Sequence, residues 1–199
     1  DGLAVRPTSD QLKSLAAAAA SSGAIALFHL VGITPEAPDL EAAMQGTAPV
    51  VVEMITPERL RAVRAGLSTT DSDTVDVVAF GSPHASLREC QELAELMRGR
   101  RAHSDVQVYV TTSRGVKEIL ARNGALDTLE AFGTNVVADT CIVVAPLVRP
   151  GARVLMTNSG KYAHYGPGII GVESIFGSTE ECVRSAISGR AETDDSAWH

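Results

Sequence analysis

Val154-Leu155-Met156-Thr157-Asn158-Ser159-Gly160-Lys161-Tyr162-Ala163-His164-Tyr165-Gly166-Pro167-Gly168 reads as a short apolar strand that runs straight into a dense polar loop. Three consecutive apolar residues suit a strand buried on both faces, as in a parallel sheet. The loop carries an amide, two hydroxyls, an ammonium, two phenols and an imidazole between glycines. A loop that only turns the chain is built from Gly, Asn and Asp. Lys, His and two Tyr together point to ligand chemistry, which α/β proteins place where their strands end.

The same alternation extends outward from this stretch. Apolar runs at 24–31, 50–54, 75–80, 106–110, 135–137 and 172–176 have strand length. Helices are predicted between them. Ser9-Asp10 can cap one that runs to about Ser21 and stops at Gly23, and another covers 35–44. Thr56-Pro57-Glu58 has the form of a helix start, with a Thr cap, Pro at the first position and an acid in the first turn. Ser86 with Glu89 three residues on is a capping box. Ser113 caps the next helix, and 126–132 and 179–188 supply two more. The pattern predicts an α/β fold, a mostly parallel sheet layered with helices. Residues 1–190 read as one α/β unit and 191–199 as a polar, frayed tail. Polar segments follow four of the strand-like runs: His29 to Glu36, Gly81-Ser82-Pro83-His84, Asp139-Thr140-Cys141, and Asn158 to Tyr165. Parallel strands end on one edge, so these four segments are expected to share a cleft.

Composition narrows the function classes. Seventeen basic against 24 acidic residues give a net charge of −7, which disfavours a general nucleic-acid surface. The one basic cluster, Arg98-Gly99-Arg100-Arg101, ends a predicted helix and matches its dipole. No apolar run approaches the roughly 20 residues that span a bilayer. The three cysteines, Cys90, Cys141 and Cys182, are odd in number and widely spaced, unlike a disulfide framework. A reducing, cytoplasmic setting is expected. The chain opens at Asp1 without Met, as a processed product or the later part of a longer polypeptide would.

Cys141 follows a strand and an Asp-Thr pair. It reads either as a small buried hydrophobe or as a thiolate that ligates iron or zinc or acts as a nucleophile. Cys90 and Cys182 fall on amphipathic helices as core thiols. No C-x-x-C pair exists, so this chain alone cannot complete a four-thiolate site. His84 precedes a helix N-terminus, a place suited to anions, while His29 reads as a core or cleft-edge histidine. Two spellings are decoys. Gly166-Pro167-Gly168-Ile169-Ile170-Gly171 matches a dinucleotide fingerprint but precedes a strand-like run. Ser159-Gly160-Lys161 lacks the first Gly of a phosphate loop, having Leu155 there.

On these residues the chain resembles the large-subunit part of the aconitase X family, within the aconitase superfamily. The matching elements are Phe28-His29, Gly32-Ile33-Thr34-Pro35-Glu36-Ala37, Gly81-Ser82-Pro83-His84 and Asp139-Thr140-Cys141. Thr157-Asn158-Ser159-Gly160-Lys161-Tyr162-Ala163-His164-Tyr165 and Phe176-Gly177-Ser178 complete the set. They run collinearly over nearly the whole chain, and Asn-Ser-x-Lys-Tyr-x-His-Tyr is the most specific. Where many members carry Cys, this chain carries Ser82.

The resemblance implies an aconitase-like large-subunit domain of a longer enzyme, a hydro-lyase acting on a small hydroxy acid. The expected substrate is cis-3-hydroxy-L-proline, with mevalonate 5-phosphate as the alternative within the family. It implies an iron–sulfur cluster of open nuclearity with Cys141 as a ligand. Lys161, His84 and Ser159 would be catalytic, and Thr34, Glu36, Ser82, Asn158, Tyr162 and His164 would bind substrate. The partners implied are the missing N-terminal part and a small swivelling domain or subunit that carries the base. A non-catalytic scaffold lobe and a cluster-free small-molecule-binding module are the alternatives from other classes.

Overall fold

The structure, a computed structural model, describes residues 5–194. Three helices come first: α1 (Ser9–Gly23), α2 (Leu40–Met44) and α3 (Pro57–Gly66). Then follow β1 (Val77–Ala85), α4 (Leu87–Met97), β2 (Gln107–Thr112), α5 (Arg114–Arg122), α6 (Ala125–Phe132) and β3 (Thr134–Ala138). The chain ends with β4 (Val154–Thr157), α7 (Gly160–Ile169), β5 (Glu173–Phe176) and α8 (Thr179–Ser188). The five strands form one sheet in the order β3-β2-β1-β4-β5, and every pair is parallel.

Both faces of the sheet are covered, which is why its strands carry continuous apolar runs. Val78, Phe80, Val108, Val110 and Met156 point to one face and pack with α4, α5, α6 and α8. Val77, Ala79, Tyr109 and Leu155 point to the other, against Tyr162 of α7 and Ile142 of the long β3–β4 connection. Helix α1 also packs on α7. The capping predictions hold at Thr56, Ser86 and Ser113, and Ser178 caps α8 in a further capping box. For α1 the cap is Thr8, in a capping box with Gln11.

Several expectations change. Residues 24–31 and 50–54 belong to no strand, and Ala24 at the start of the first is left-handed. The helix expected at 35–44 begins only at Leu40, because Asp39 caps it there. The largest change is at 157–168, where the expected loop is mostly helix. Ser159 accepts the Tyr162 N–H and caps α7, whose Tyr162, Ala163 and Gly166 then bury one stripe against the sheet. A Cβ at Gly166 would lie 3.4 Å from Leu155 and Val172, so the small residue lets the helix sit close. The tail begins tied down, since Ala191 N–H bonds the Asp73 carbonyl at 3.0 Å. Residues 195–199 lie outside the described residues.

Glu181 of α8 is 3% exposed. It accepts N–H bonds from Ser178 and Asp194 and pairs with Arg64 of α3 at 3.1 Å. Burial raises its pKa, but the two N–H groups and the guanidinium outweigh burial and hold it below the ordinary 4.5. A carboxyl depressed in the folded state stabilises above its unfolded pKa, and that stability is lost as pH falls through the folded value. Glu181→Gln is therefore expected to lower stability at pH 7 and to flatten its fall below about pH 4.5. Denaturant midpoints across pH test this; an unchanged acid slope in the variant would refute it.

Candidate functional site

The strand order places a topological switch between β1 and β4. The chain leaves β1 through α4 on one face and leaves β4 through α7 on the other, so a crevice opens between their C-terminal ends. β1 also bulges there. It advances from Phe80 to Ala85 while β2 advances only from Val110 to Thr112. Gly81 makes this bulge with φ 90°, lifting Ser82, Pro83 and His84 off the sheet edge.

Hydroxyls stitch the two segments of the switch together. Ser159 Oγ donates to the Ser82 carbonyl and accepts the Tyr162 N–H at 3.1 Å. Thr157 Oγ1 donates to the Ala79 carbonyl at 2.7 Å and accepts the Ser159 N–H at 3.1 Å. Thr111 Oγ1 bonds the Gly81 carbonyl and lies 3.2 Å from the Tyr162 hydroxyl. Tyr162 is fully buried, and burial pushes its phenol well above the ordinary range.

Ser82, Asn158 and Ser159 line the crevice, a cavity of about 400 Å3. Asn158 Nδ2 donates to Thr179 Oγ1 at 3.0 Å across it. Its charged wall holds Asp10, Arg88, Glu89 and Glu92. Arg88 pairs with Glu92 at 2.8 Å, and Lys13 pairs with Glu89 and with Asp10. Lys13 also donates to the His84 carbonyl at 3.0 Å and so holds the bulge from α1. That role is not visible in the sequence, because 71 positions separate the two residues.

Lys161 stands half-buried in the first turn of α7. A helix N-terminus is positive, and this first turn carries no acid. The cation therefore reinforces the dipole in attracting an anion. His164, one turn on, is exposed and packs edge-on to Tyr165 at 5.2 Å. His84 is exposed beside Asp139. Asp139 is held below the ordinary carboxylate range by hydrogen bonds from the Arg114 side chain and backbone. Thr34 bonds the backbone of Leu30 at 3.2 and 3.3 Å, and Glu36 is exposed. Of the residues expected at the site, only Ser82, Asn158 and Ser159 line the crevice; Thr34, Glu36, His84, Lys161, Tyr162 and His164 do not.

Cys141 is half-buried and packs against the cluster that contains Tyr162. Cys90 and Cys182 are buried in the cluster on the opposite face of the sheet. Burial pushes the Cys90 thiol up to about 11 and raises Cys182 as well. Among the described residues, no three His, Cys, Asp or Glu side chains converge as a metal site. The residues present therefore fit one ligand of a cluster, Cys141, and not a complete set.

The model of the aconitase X third domain matches residues 75–188, the whole of this sheet. The chain belongs to the aconitase X family. The model of the aconitase X second domain matches residues 2–78. The chain is 44% identical to a cis-3-hydroxy-L-proline dehydratase of Pseudomonas aeruginosa, over 100% of this chain and 35% of that protein. It is 38% identical to the phosphomevalonate dehydratase large subunit of Methanothermobacter thermautotrophicus, over 89% of this chain and 43% of that protein. The solved holo-form of Thermococcus kodakaraensis aconitase X superposes with a TM-score of 0.74 at 33% identity, covering 90% of this chain and 44% of that one. The chain thus spans about a third to under half the length of these aconitase X relatives.

Proposed function

We propose that the full-length protein is a hydro-lyase that dehydrates cis-3-hydroxy-L-proline to Δ1-pyrroline-2-carboxylate. The observation that carries this reading is the 44% identity, across the whole chain, to a protein of that named activity. The polar groups gathered around the ends of β1 and β4 support it. Lys161 and the N-terminus of α7 bind the substrate carboxylate. Asn158, the Ser82 hydroxyl and His164 hydrogen-bond the ring substituents, and His84 bonds the departing hydroxyl. Ser159 and Tyr162 have their hydroxyls engaged within the fold, and they act by fixing the geometry of the switch.

An iron–sulfur cluster held in part by Cys141, with its other ligands from outside this chain, would supply Lewis-acid assistance to loss of the hydroxyl. The base that takes the proton beside the carboxylate belongs to a smaller domain or subunit, also outside this chain. One observation favours the hydroxyproline over the phosphorylated substrate. Arg88 on the crevice wall is already paired with Glu92, and Lys13 is paired with Glu89 and Asp10. With Lys161 on the carboxylate and Arg88 engaged by Glu92, a phosphate gains little there, whereas a ring ammonium meets the carboxylates of the wall.

The test is a dehydratase assay on the complete protein after anaerobic iron reconstitution. It is offered cis-3-hydroxy-L-proline and mevalonate 5-phosphate separately, with loss of water followed by mass. Turnover of the first is expected. Turnover of the second alone would overturn the substrate, and silence with both despite bound iron would overturn the enzyme.

A further inference from the structure

Residues 24–31 and 50–54 have the sequence of buried strands, yet they belong to no strand and lie largely open. Leu27 is 73% exposed, Val50 99% and Val52 83%. Among the described residues, the backbone of 26–29 and 50–55 makes no hydrogen bond. The Nδ1 atom of His29, in the first stretch, is buried without a partner. Helices α1, α2 and α3 contribute no buried residue. Ala37 aside, the buried apolar core begins at Val75, while most exposed large hydrophobics precede residue 64. The residues matched to the second domain therefore carry strand sequence and apolar surface but no core of their own.

A bare apolar segment of strand sequence is a template for pairing. A continuous apolar run, as opposed to an alternating one, needs cover on both faces as well as along its edges. We propose that 26–29 and 50–55 are strands of a second sheet, and that its remaining strands come from the part of this polypeptide outside residues 1–199. Two facts select that occupant. The matched domains are the second and third of the family, and the dehydratase relatives are about three times as long as this chain. A second copy would offer the same open face and edge, and a single contact with it covers only one side of each strand. A domain core built within one polypeptide covers both.

Hydrogen exchange on the full-length protein, read by mass spectrometry, tests the proposal. Peptides covering 26–29 and 50–55 are expected to exchange on the order of a hundredfold or more slower than free peptide, at every protein concentration. Exchange at the free-peptide rate would overturn the sheet. Protection that appears only as light scattering reports self-association would overturn the occupant in favour of a second copy.

Discussion

Gly81→Ala in the full-length protein is expected to cost roughly 3 kcal/mol or more of stability and to abolish the crevice. The backbone at Gly81 has φ 90°, a region that L side chains rarely occupy. A Cβ there would also fall 2.1 Å from the Thr111 carbonyl oxygen and 2.9 Å from its Oγ1. Both neighbours belong to β2, so relief requires parting two central strands. The same shift would break the Thr111 link to the Gly81 carbonyl and displace Ser82 from Ser159. Gly46→Ala is the control. It also has a positive φ, of 77°, but nothing lies within 4 Å of its Cβ position, so its cost is about 1 kcal/mol from the backbone alone. Urea midpoints of the two variants measure the difference. Equal losses would show that the approach to Thr111 does not matter.

Cys141→Ala is expected to remove bound iron and to lower kcat at least about 1000-fold, with little change in fold. The thiol is half-buried, so truncation leaves a small cavity and a modest loss of about 1 kcal/mol. Cys90→Ala serves as the opposite case. That thiol is fully buried on the other face, and its loss should cost stability while leaving iron content intact. Iron analysis, the visible spectrum and turnover are read together. Retained iron with full activity in Cys141→Ala would remove it from the ligand set.

Much of the fold was legible because its signals are local. Val154, Leu155 and Met156 read as a buried strand since a parallel sheet needs no polar alternation. Ser86 with Glu89 read as a helix start since both capping bonds lie within one turn. Local signals misled at 157–168, where polar side chains and glycines suggested a loop. Ser159 in fact caps a helix whose buried stripe is Tyr162, Ala163 and Gly166. The periodicity was hidden by small residues that serve close packing on Leu155 and Val172. At 50–54 the propensity for a strand was present, but a strand exists only when another pairs with it.

The candidate site divides in the same way. The sequence by itself determined its chemical inventory: Lys161 in the first turn after β4, Asn158 and Ser159 ahead of it, His84 after β1 and Cys141 after β3. It also determined the layering of helices on a parallel sheet, because strand length, apolar runs and caps are properties of short stretches. Only the tertiary structure decided which of these residues meet. Adjacency of β1 and β4 brings Ser82 to Ser159 across 77 positions, and Lys13 reaches the bulge from α1. It also sent Cys141 to one face of the sheet and Cys90 with Cys182 to the other. Strand order and crossover face are set by packing of the whole sheet, and no short stretch of sequence carries that information.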